Sequence, residues 1–96
     1  MRACYLSLLG YLADHHFKAA DYQTALQHAV RLLLHDPCRE DAHRMVMCCY
    51  VRLGVRAQAL RQYRTCQEIL AREFDAHPEP ATTALFARIR TDPGSV

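Results

Sequence analysis

The stretch LADHHFKAADYQTALQHAVRL, residues 12–32, indicates the architecture, because its pattern returns in VMCCYVRLGVRAQALRQYRTC, residues 46–66. The two copies lie 34 residues apart, and apart from one histidine their matched positions are apolar or small. The matched pairs are Leu12 with Val46, His16 with Tyr50, Ala20 with Gly54, Ala25 with Ala59, Leu26 with Leu60, and Leu32 with Cys66. Small side chains at Ala25 and Ala59 let two helices approach closely, and Ala20 and Gly54 occupy the turn between such helices. The repetition predicts two helical hairpins.

A period of 34 residues is that of the tetratricopeptide repeat, in which helix–turn–helix units stack on one another. We therefore predict an all-α fold, a tetratricopeptide-like right-handed stack of two helical hairpins plus a C-terminal capping helix. Five helices are expected, at about residues 2–18, 22–35, 39–53, 56–74 and 81–90. The domain is predicted to cover residues 1–91, and residues 92–96, which include Asp92-Pro93-Gly94, are predicted to form a flexible tail.

The helix limits follow from local signals along the chain. Apolar residues recur every three or four positions, and no segment alternates with a period of two for long enough to predict a strand. Asp21 can cap the second helix, Pro37 ends it, and Gly54 suits the left-handed end of the third. The first helix is expected to bury a face formed by Tyr5, Leu8, Leu9, Leu12 and His16.

Composition excludes several classes of protein. The chain has 96 residues, of which 51% are apolar and only seven are Pro or Gly, so it suits one packed helical domain. Its net charge of +2 is too small to predict a dedicated nucleic-acid binder. The apolar runs are far shorter than the ~20 residues of a membrane-spanning helix. We expect a cytoplasmic protein that does not contact a membrane.

The sequence contains few candidate residues for catalysis, metal binding or phosphate binding. The five cysteines are an odd number without regular spacing, which indicates reduced thiols that are mostly buried. The segment His35-Asp36-Pro37-Cys38 has one H-x-x-C spacing, but a structural zinc site usually needs a second pair. No Cys–His nucleophile signature and no Gly-rich phosphate loop is present. The sequence therefore predicts no enzyme activity, no cofactor and no metal.

The stretch LLHDPCREDAHRMVM, residues 33–47, resembles the signature of the bacterial transcriptional activator domain. Further segments are similar to that family in order and spacing, namely Gly54 with Ala59–Tyr63, Leu70–Phe74, Pro78-Glu79-Pro80 and Thr82–Phe86. The resemblance covers about Tyr5 to Arg90 and implies a role in transcription control. In that family the domain stands beside a winged-helix DNA-binding domain in regulators of the Streptomyces antibiotic regulatory protein type, or within larger signal-responsive regulators.

The chain departs from that family in two respects. Family members often have Gly where this chain has Asp75, so the fourth helix is expected to end differently. The usual first helices and the DNA-binding domain are not recognised in the 96 residues. The resemblance therefore implies either a fragment of a regulator or a free-standing accessory domain, without DNA binding of its own.

In tetratricopeptide-like stacks the first helix of each hairpin lines a groove for partners. The register carries over Ser7, Gly10, Asp14, Phe17 and Lys18 from the first hairpin, and Asp41, Arg44, Cys48, Val51 and Arg52 from the second. The predicted protein-interaction groove is formed by Asp14, Phe17, Lys18, Asp41, Arg44, Cys48 and Arg52. Lys18, Arg44 and Arg52 give it a basic character, although the same residues also suit an ordinary solvated face. The chain has no asparagine, which argues against a carboxylate clamp for peptide termini.

These observations lead to competing hypotheses. The first is a non-catalytic interaction or oligomerisation domain of a bacterial transcription regulator. Its partner would be another protein, other domains of the same regulator, or a second copy in a homodimer, since the N-terminal end of the stack leaves apolar surface uncovered. The alternative is an effector-sensing module that holds a small ligand between helices, in a groove shaped by Phe17 and Arg44. Direct nucleic-acid binding through Arg52, Arg56, Arg61 and Arg64 is disfavoured, because helical spacing separates them.

Overall fold

The computed structural model describes residues 2–96, with the side chains from Cys4 onward. Five α-helices follow one another and end in a short 3-10 helix, and the described residues contain no strand. The elements are α1 (Arg2–Lys18), α2 (Tyr22–His35), α3 (Glu40–Arg52), α4 (Arg56–Phe74), α5 (Pro80–Thr91) and the 3-10 helix Pro93–Ser95. The prediction of an all-α fold with five helices is confirmed, and the predicted limits differ from these by at most one residue.

The 34-residue repetition is visible in the backbone of the two hairpin turns. Ala20 and Gly54 both adopt left-handed conformations, with φ of 62° and 81°. The residue after each of them closes the same type of bond, from Asp21 N to His16 O and from Val55 N to Tyr50 O, both at 2.8 Å. Such bonds satisfy carbonyl groups that the end of a helix leaves free. The matched positions of the sequence therefore form matched turns.

The start of α2 and the end of α4 follow their local sequence. The Asp21 carboxylate accepts a bond from Thr24 N at 3.4 Å and so caps α2. At the end of α4, Asp75 takes the left-handed conformation with φ 50°. The neighbouring Ala76 N donates to Leu70 O at 3.2 Å. Asp75 thus adopts the backbone geometry that glycine adopts most easily.

The hairpins α1–α2 and α3–α4 stack through contacts of α3 with α1 and α2, and α5 covers α3 and α4. The core lies along these contacts. Its buried clusters are Leu9, Leu32 and Ala42; Ala13, Ala29 and Val46; and Met47, Ala59, Tyr63, Leu85 and Ile89. Ala25 and Ala59 are both fully buried, as their predicted place at helix crossings requires. Contacts between α1 and α3 and between α3 and α5 bring the first helix of each unit together.

The prediction of the buried face of the first helix was wrong, because the observed face is rotated by part of a turn from the predicted one. Leu9 and Ala13 are buried, whereas Tyr5 is 39% exposed and Leu8 is 51% exposed. Residues one apart on a helix point about 100° apart, and α3 covers α1 on the side of Leu9 and Ala13. Tyr5 and Leu8 therefore lie at the edge of the contact.

The C-terminal residues lie against α5. The Arg88 guanidinium donates to the backbone carbonyl and the hydroxyl of Ser95, and Val96 packs against the cluster around Met47. The flexibility predicted for residues 92–96 stays a prediction. None of the helices in residues 2–96 combines the length and the apolar character needed to cross a lipid bilayer.

Candidate functional site

A concave groove of about 530 Å³ runs along the surface formed by α1, α3 and α5. Its apolar contacts come from an aromatic ring, a thioether and aliphatic side chains, and charged groups stand around them. The lining residues are Asp14, Phe17, Lys18, Asp41, Arg44, Met45, Cys48, Ala81, Leu85 and Arg88. In tetratricopeptide-like stacks the first helix of each unit lines the concave surface, and α1 and α3 line this groove in the same way. The third wall is α5, which takes the place of the first helix of an incomplete third unit.

The structure places six of the seven residues predicted for the interaction groove in its lining. They are Asp14, Phe17, Lys18, Asp41, Arg44 and Cys48. Among the other register positions, Gly10 lines a smaller cavity beside the groove and Val51 packs against the cluster around Met47. A role of these residues in binding stays a prediction.

The seventh residue, Arg52, is not among the residues that line the groove. Its guanidinium carbon lies 5.9 Å from the ring centre of Phe17 and 5.7 Å from that of Tyr22. Arg52 also donates to the Tyr22 hydroxyl at 3.4 Å. A guanidinium at this distance is attracted to the face of an aromatic ring. Arg52 therefore supports the Phe17 ring at the end of the groove.

Sequence reasoning missed four lining residues, namely Met45, Ala81, Leu85 and Arg88. Met45 is half-buried between the core and the groove. The other three belong to α5. The 34-residue register does not reach them, because α4 continues for an extra turn where the first hairpin has Pro37. The signal for these three residues was their helical spacing on the predicted capping helix. The sequence does not say which side of that helix faces the groove.

The charges at the groove are largely paired. Lys18 Nζ lies 3.0 Å from Asp14 Oδ2, and Arg39 Nε donates to Asp41 Oδ1 at 2.9 Å. Arg44 forms an ion pair with Glu79 and donates to Thr82 Oγ1 at 2.9 Å. Pairing with nearby carboxylates makes the groove less basic than Lys18 and Arg44 alone predict. Shape and apolar surface therefore distinguish the groove more than net charge does.

A hydrogen-bond network joins the start of α5 to α3 beside the groove. One Glu40 oxygen accepts from Glu79 N at 2.9 Å and from Thr82 Oγ1 at 2.8 Å. The Thr82 side chain is fully buried, and Arg44 bonds the same hydroxyl from α3. Hydrogen bonds to charged groups are stronger than those between neutral groups. Glu40 and Arg44 thus hold the first turn of α5 against α3.

The other end of α5 is held by Arg56 at the start of α4. Its Nε donates to Ile89 O at 2.9 Å, and a second nitrogen donates to Arg90 O. These are carbonyl groups of the last turn of α5, which a helix leaves without internal partners. Arg56, for which the sequence disfavoured a nucleic-acid contact, therefore serves as a helix cap.

The thiols near the groove are poor nucleophiles. Burial raises the pKa of the Cys48 thiol, and it raises the pKa of Cys49 to about 12 and that of Cys66 to about 11. A thiol reacts as its thiolate, so a raised pKa lowers the reactive fraction of each of these groups near neutral pH. The five cysteines are free, and no group of His, Cys, Asp and Glu within residues 2–96 has the geometry of a metal site.

Comparison with known proteins gives a family match over nearly the whole chain. The sequence model of the family described as "Bacterial transcriptional activator domain" matches residues 2–90. No curated protein and no solved structure matches the chain. The matched range includes α1 through α4 and all but the last residue of α5, so every residue that lines the groove lies within it.

Proposed function

The chain belongs to the bacterial transcriptional activator domain family, and from this premise we propose that it is a non-catalytic domain that binds another polypeptide of a transcription regulator. The proposed binding site is the groove between α1, α3 and α5. The partner is another protein of the regulatory system or another domain of the same regulator. We also propose a cytoplasmic location, because bacterial transcription takes place in the cytoplasm.

The observation that carries this proposal is the form of the groove. Phe17, Met45 and Leu85 supply apolar surface, and paired charges such as Lys18 with Asp14 surround it. Protein interfaces commonly have an apolar centre with aromatic residues and methionine, inside a polar rim. The groove is open and concave, which suits a helix or an extended segment of a partner.

Binding to nucleic acid is a weaker candidate for these 96 residues. The net charge is only +2. Arg56 is occupied by the end of α5, and Arg52 lies over two aromatic rings. A nucleic-acid interface needs several cations free to neutralise phosphates.

Self-association is a second candidate, and it involves a different surface. Tyr5, Leu8 and Tyr11 lie on α1 and are exposed by 39%, 51% and 65%. Exposed apolar and aromatic side chains that lie close together often mark a protein interface. We propose that this side of α1 supports a homodimer. Light scattering tests it, because a chain that remains monomeric at high concentration contradicts it.

A small ligand in the groove is the remaining alternative. Phe17 and Arg44 both line the groove, and its volume of about 530 Å³ falls within the range of ~300 to 1,000 Å³ of ligand pockets. A ligand that binds only the folded chain raises its melting temperature. Thermal shifts across a panel of metabolites therefore test this alternative, and the absence of any shift at high concentration removes it.

The groove itself is tested by filling it without disturbing the core. Ala81 is exposed at the second position of α5 and lines the groove, so Ala81→Trp should block a partner and leave the fold intact. Ala57→Trp is the matched control, since Ala57 is exposed at the second position of α4 and does not line the groove. Calorimetric titration with a winged-helix polypeptide of the same regulatory system should show at least about tenfold weaker binding for Ala81→Trp alone. Equal affinities for both variants contradict the proposal.

A further inference from the structure

A row of four aromatic rings crosses from α1 to α2, and none of its members lines the groove. Tyr11 stacks on His15 with ring centres 6.1 Å apart, and His15 meets His16 edge to face at 5.3 Å. His16 then stacks on His28 at 5.5 Å with an interplanar angle of 24°. We call Tyr11, His15, His16 and His28 the histidine ladder.

The last step of the histidine ladder joins the two helices of the first hairpin. His16 lies in the last turn of α1, and His28 lies in the middle of α2. Asp21, in the turn between them, places Oδ2 3.5 Å from His16 Nδ1 while its other oxygen caps α2 through Thr24 N. The ring pair, the turn and the start of α2 are therefore one connected unit.

Stacked imidazoles lie in favourable contact while at least one of them is neutral. Two protonated rings at this separation repel each other, and the partial burial of His28 reduces the ability of water to screen the charges. The nearby carboxylate of Asp21 faces His16, whereas the charged neighbours of His28 are His16 itself and Arg31. The charged neighbours of His28 thus oppose its protonation.

The surroundings of His28 also oppose its protonation. Burial lowers the pKa of His28, and the positive charges of His16 and Arg31 lower it further. From α3, Met45, Val46 and Tyr50 pack toward α2, and Arg52 reaches the hydroxyl of Tyr22. None of these α3 groups supplies a carboxylate that could stabilise a protonated His28.

We propose that the stacked rings of His16 and His28 form a pH-sensitive latch, which holds the α1–α2 hairpin closed while His28 is neutral and loosens it in mildly acidic solution. The direction follows from the preference of the closed hairpin for the neutral ring. Its stability is complete above the ordinary histidine pKa and is lost as the pH falls below that value. Loosening the hairpin would move α1, which carries both Tyr11 and the groove residues Phe17 and Lys18.

Hydrogen exchange of the full chain, followed by NMR or mass spectrometry, tests the latch. Protection factors measured at about pH 7.5 and about pH 5.5 bracket the titration of an ordinary imidazole. We expect acidification to reduce protection several-fold more in α1 and α2 than in α4 and α5. His28→Phe keeps a stacked ring without a charge and should abolish this difference. His77→Phe is the control, since His77 is exposed outside the helices and should leave the difference unchanged.

Two further measurements keep the outcome clear. If His28→Phe does not fold, His28→Gln replaces it with a neutral polar side chain and should have the same effect. The ring of His28, followed by NMR, should titrate below the free-histidine value, and His16→Phe should move that midpoint upward. Equal loss of protection in all helices, a selective loss that persists in the His28 variants, or an unmoved midpoint overturns the proposal.

Discussion

The side-chain amide of Gln62 donates a hydrogen bond to Nδ1 of His43 across 2.8 Å, inside a part of the core where His43 is only 1% exposed. The other ring nitrogen of His43 lies 2.7 Å from Pro37 O. A carbonyl oxygen can only accept, so Nε2 carries the proton and Nδ1 accepts the bond from Gln62. The neutral ring thus joins α3 and α4 to the segment after α2.

Replacement of Gln62 by leucine should destabilise the chain by about 1–3 kcal/mol, because it leaves the buried Nδ1 of His43 without a donor. Urea unfolding measures the change. Gln67→Leu is the matched control, since Gln67 is exposed on the same helix, and its effect should stay within about 0.5 kcal/mol. Equal effects of the two substitutions would show that the bond to His43 contributes nothing.

The same ring makes stability depend on pH. Burial lowers the pKa of His43, although the bond to Pro37 O and the charge of Glu40 oppose that shift. The folded chain then binds a proton less readily than the unfolded chain, so stability is full above the ordinary pKa of 6.5 and falls as the pH drops below it. Urea midpoints at about pH 7.5 and about pH 5.5 should differ less in His43→Met than in the parent chain. His77→Met should keep the parent's difference, and a His43 variant that also keeps it contradicts this prediction.

The left-handed turn at Ala20 predicts a stabilising substitution. Ala20 has φ 62°, a conformation that glycine adopts without the steric cost of a Cβ atom. Ala20→Gly should therefore raise the free energy of unfolding by up to about 1 kcal/mol, as measured by thermal or urea unfolding. Ala19→Gly is the control, because Ala19 has no positive φ and glycine there adds only freedom to the unfolded chain. A lower melting temperature for Ala20→Gly would contradict the assigned turn.

The Thr82 hydroxyl is predicted to hold α5 in place. Thr82→Val keeps the side-chain shape but leaves Glu40 and Arg44 without their shared partner. A hydrogen bond to a charged group contributes about 1.5–3 kcal/mol, so amide exchange in α5 should accelerate before that in α3. Thr65→Val, at an exposed position of α4, is the matched control and should leave exchange in α5 unchanged. Unaltered exchange of α5 in Thr82→Val would remove the role assigned to this network.

The repetition in the sequence was sufficient to predict the two hairpins, because turn geometry and close helix contact depend on single small residues. Ala20 and Gly54 show this for the turns, and Ala25 and Ala59 show it for the buried crossings. The same register placed most of the predicted groove residues along one surface. These features depend on helical periodicity, which is a local property of the chain.

The position of α5 could not be predicted in the same way. It depends on contacts such as that of Glu40 with Thr82, which are distant in sequence and have no counterpart in the first hairpin. Only the structure therefore identified Leu85 and Arg88 as groove residues. The exposure of Leu8 was missed for a related reason, because periodicity identifies an apolar stripe but does not say how far a neighbouring helix covers it.

NMR titration of the methyl-labelled chain with the winged-helix polypeptide locates the binding surface. We predict that the largest shift changes occur at Met45, Ala81 and Leu85, which line the groove. Changes centred instead on Leu8 of α1 or Leu34 of α2, or no changes at saturating concentration, would contradict binding through the groove.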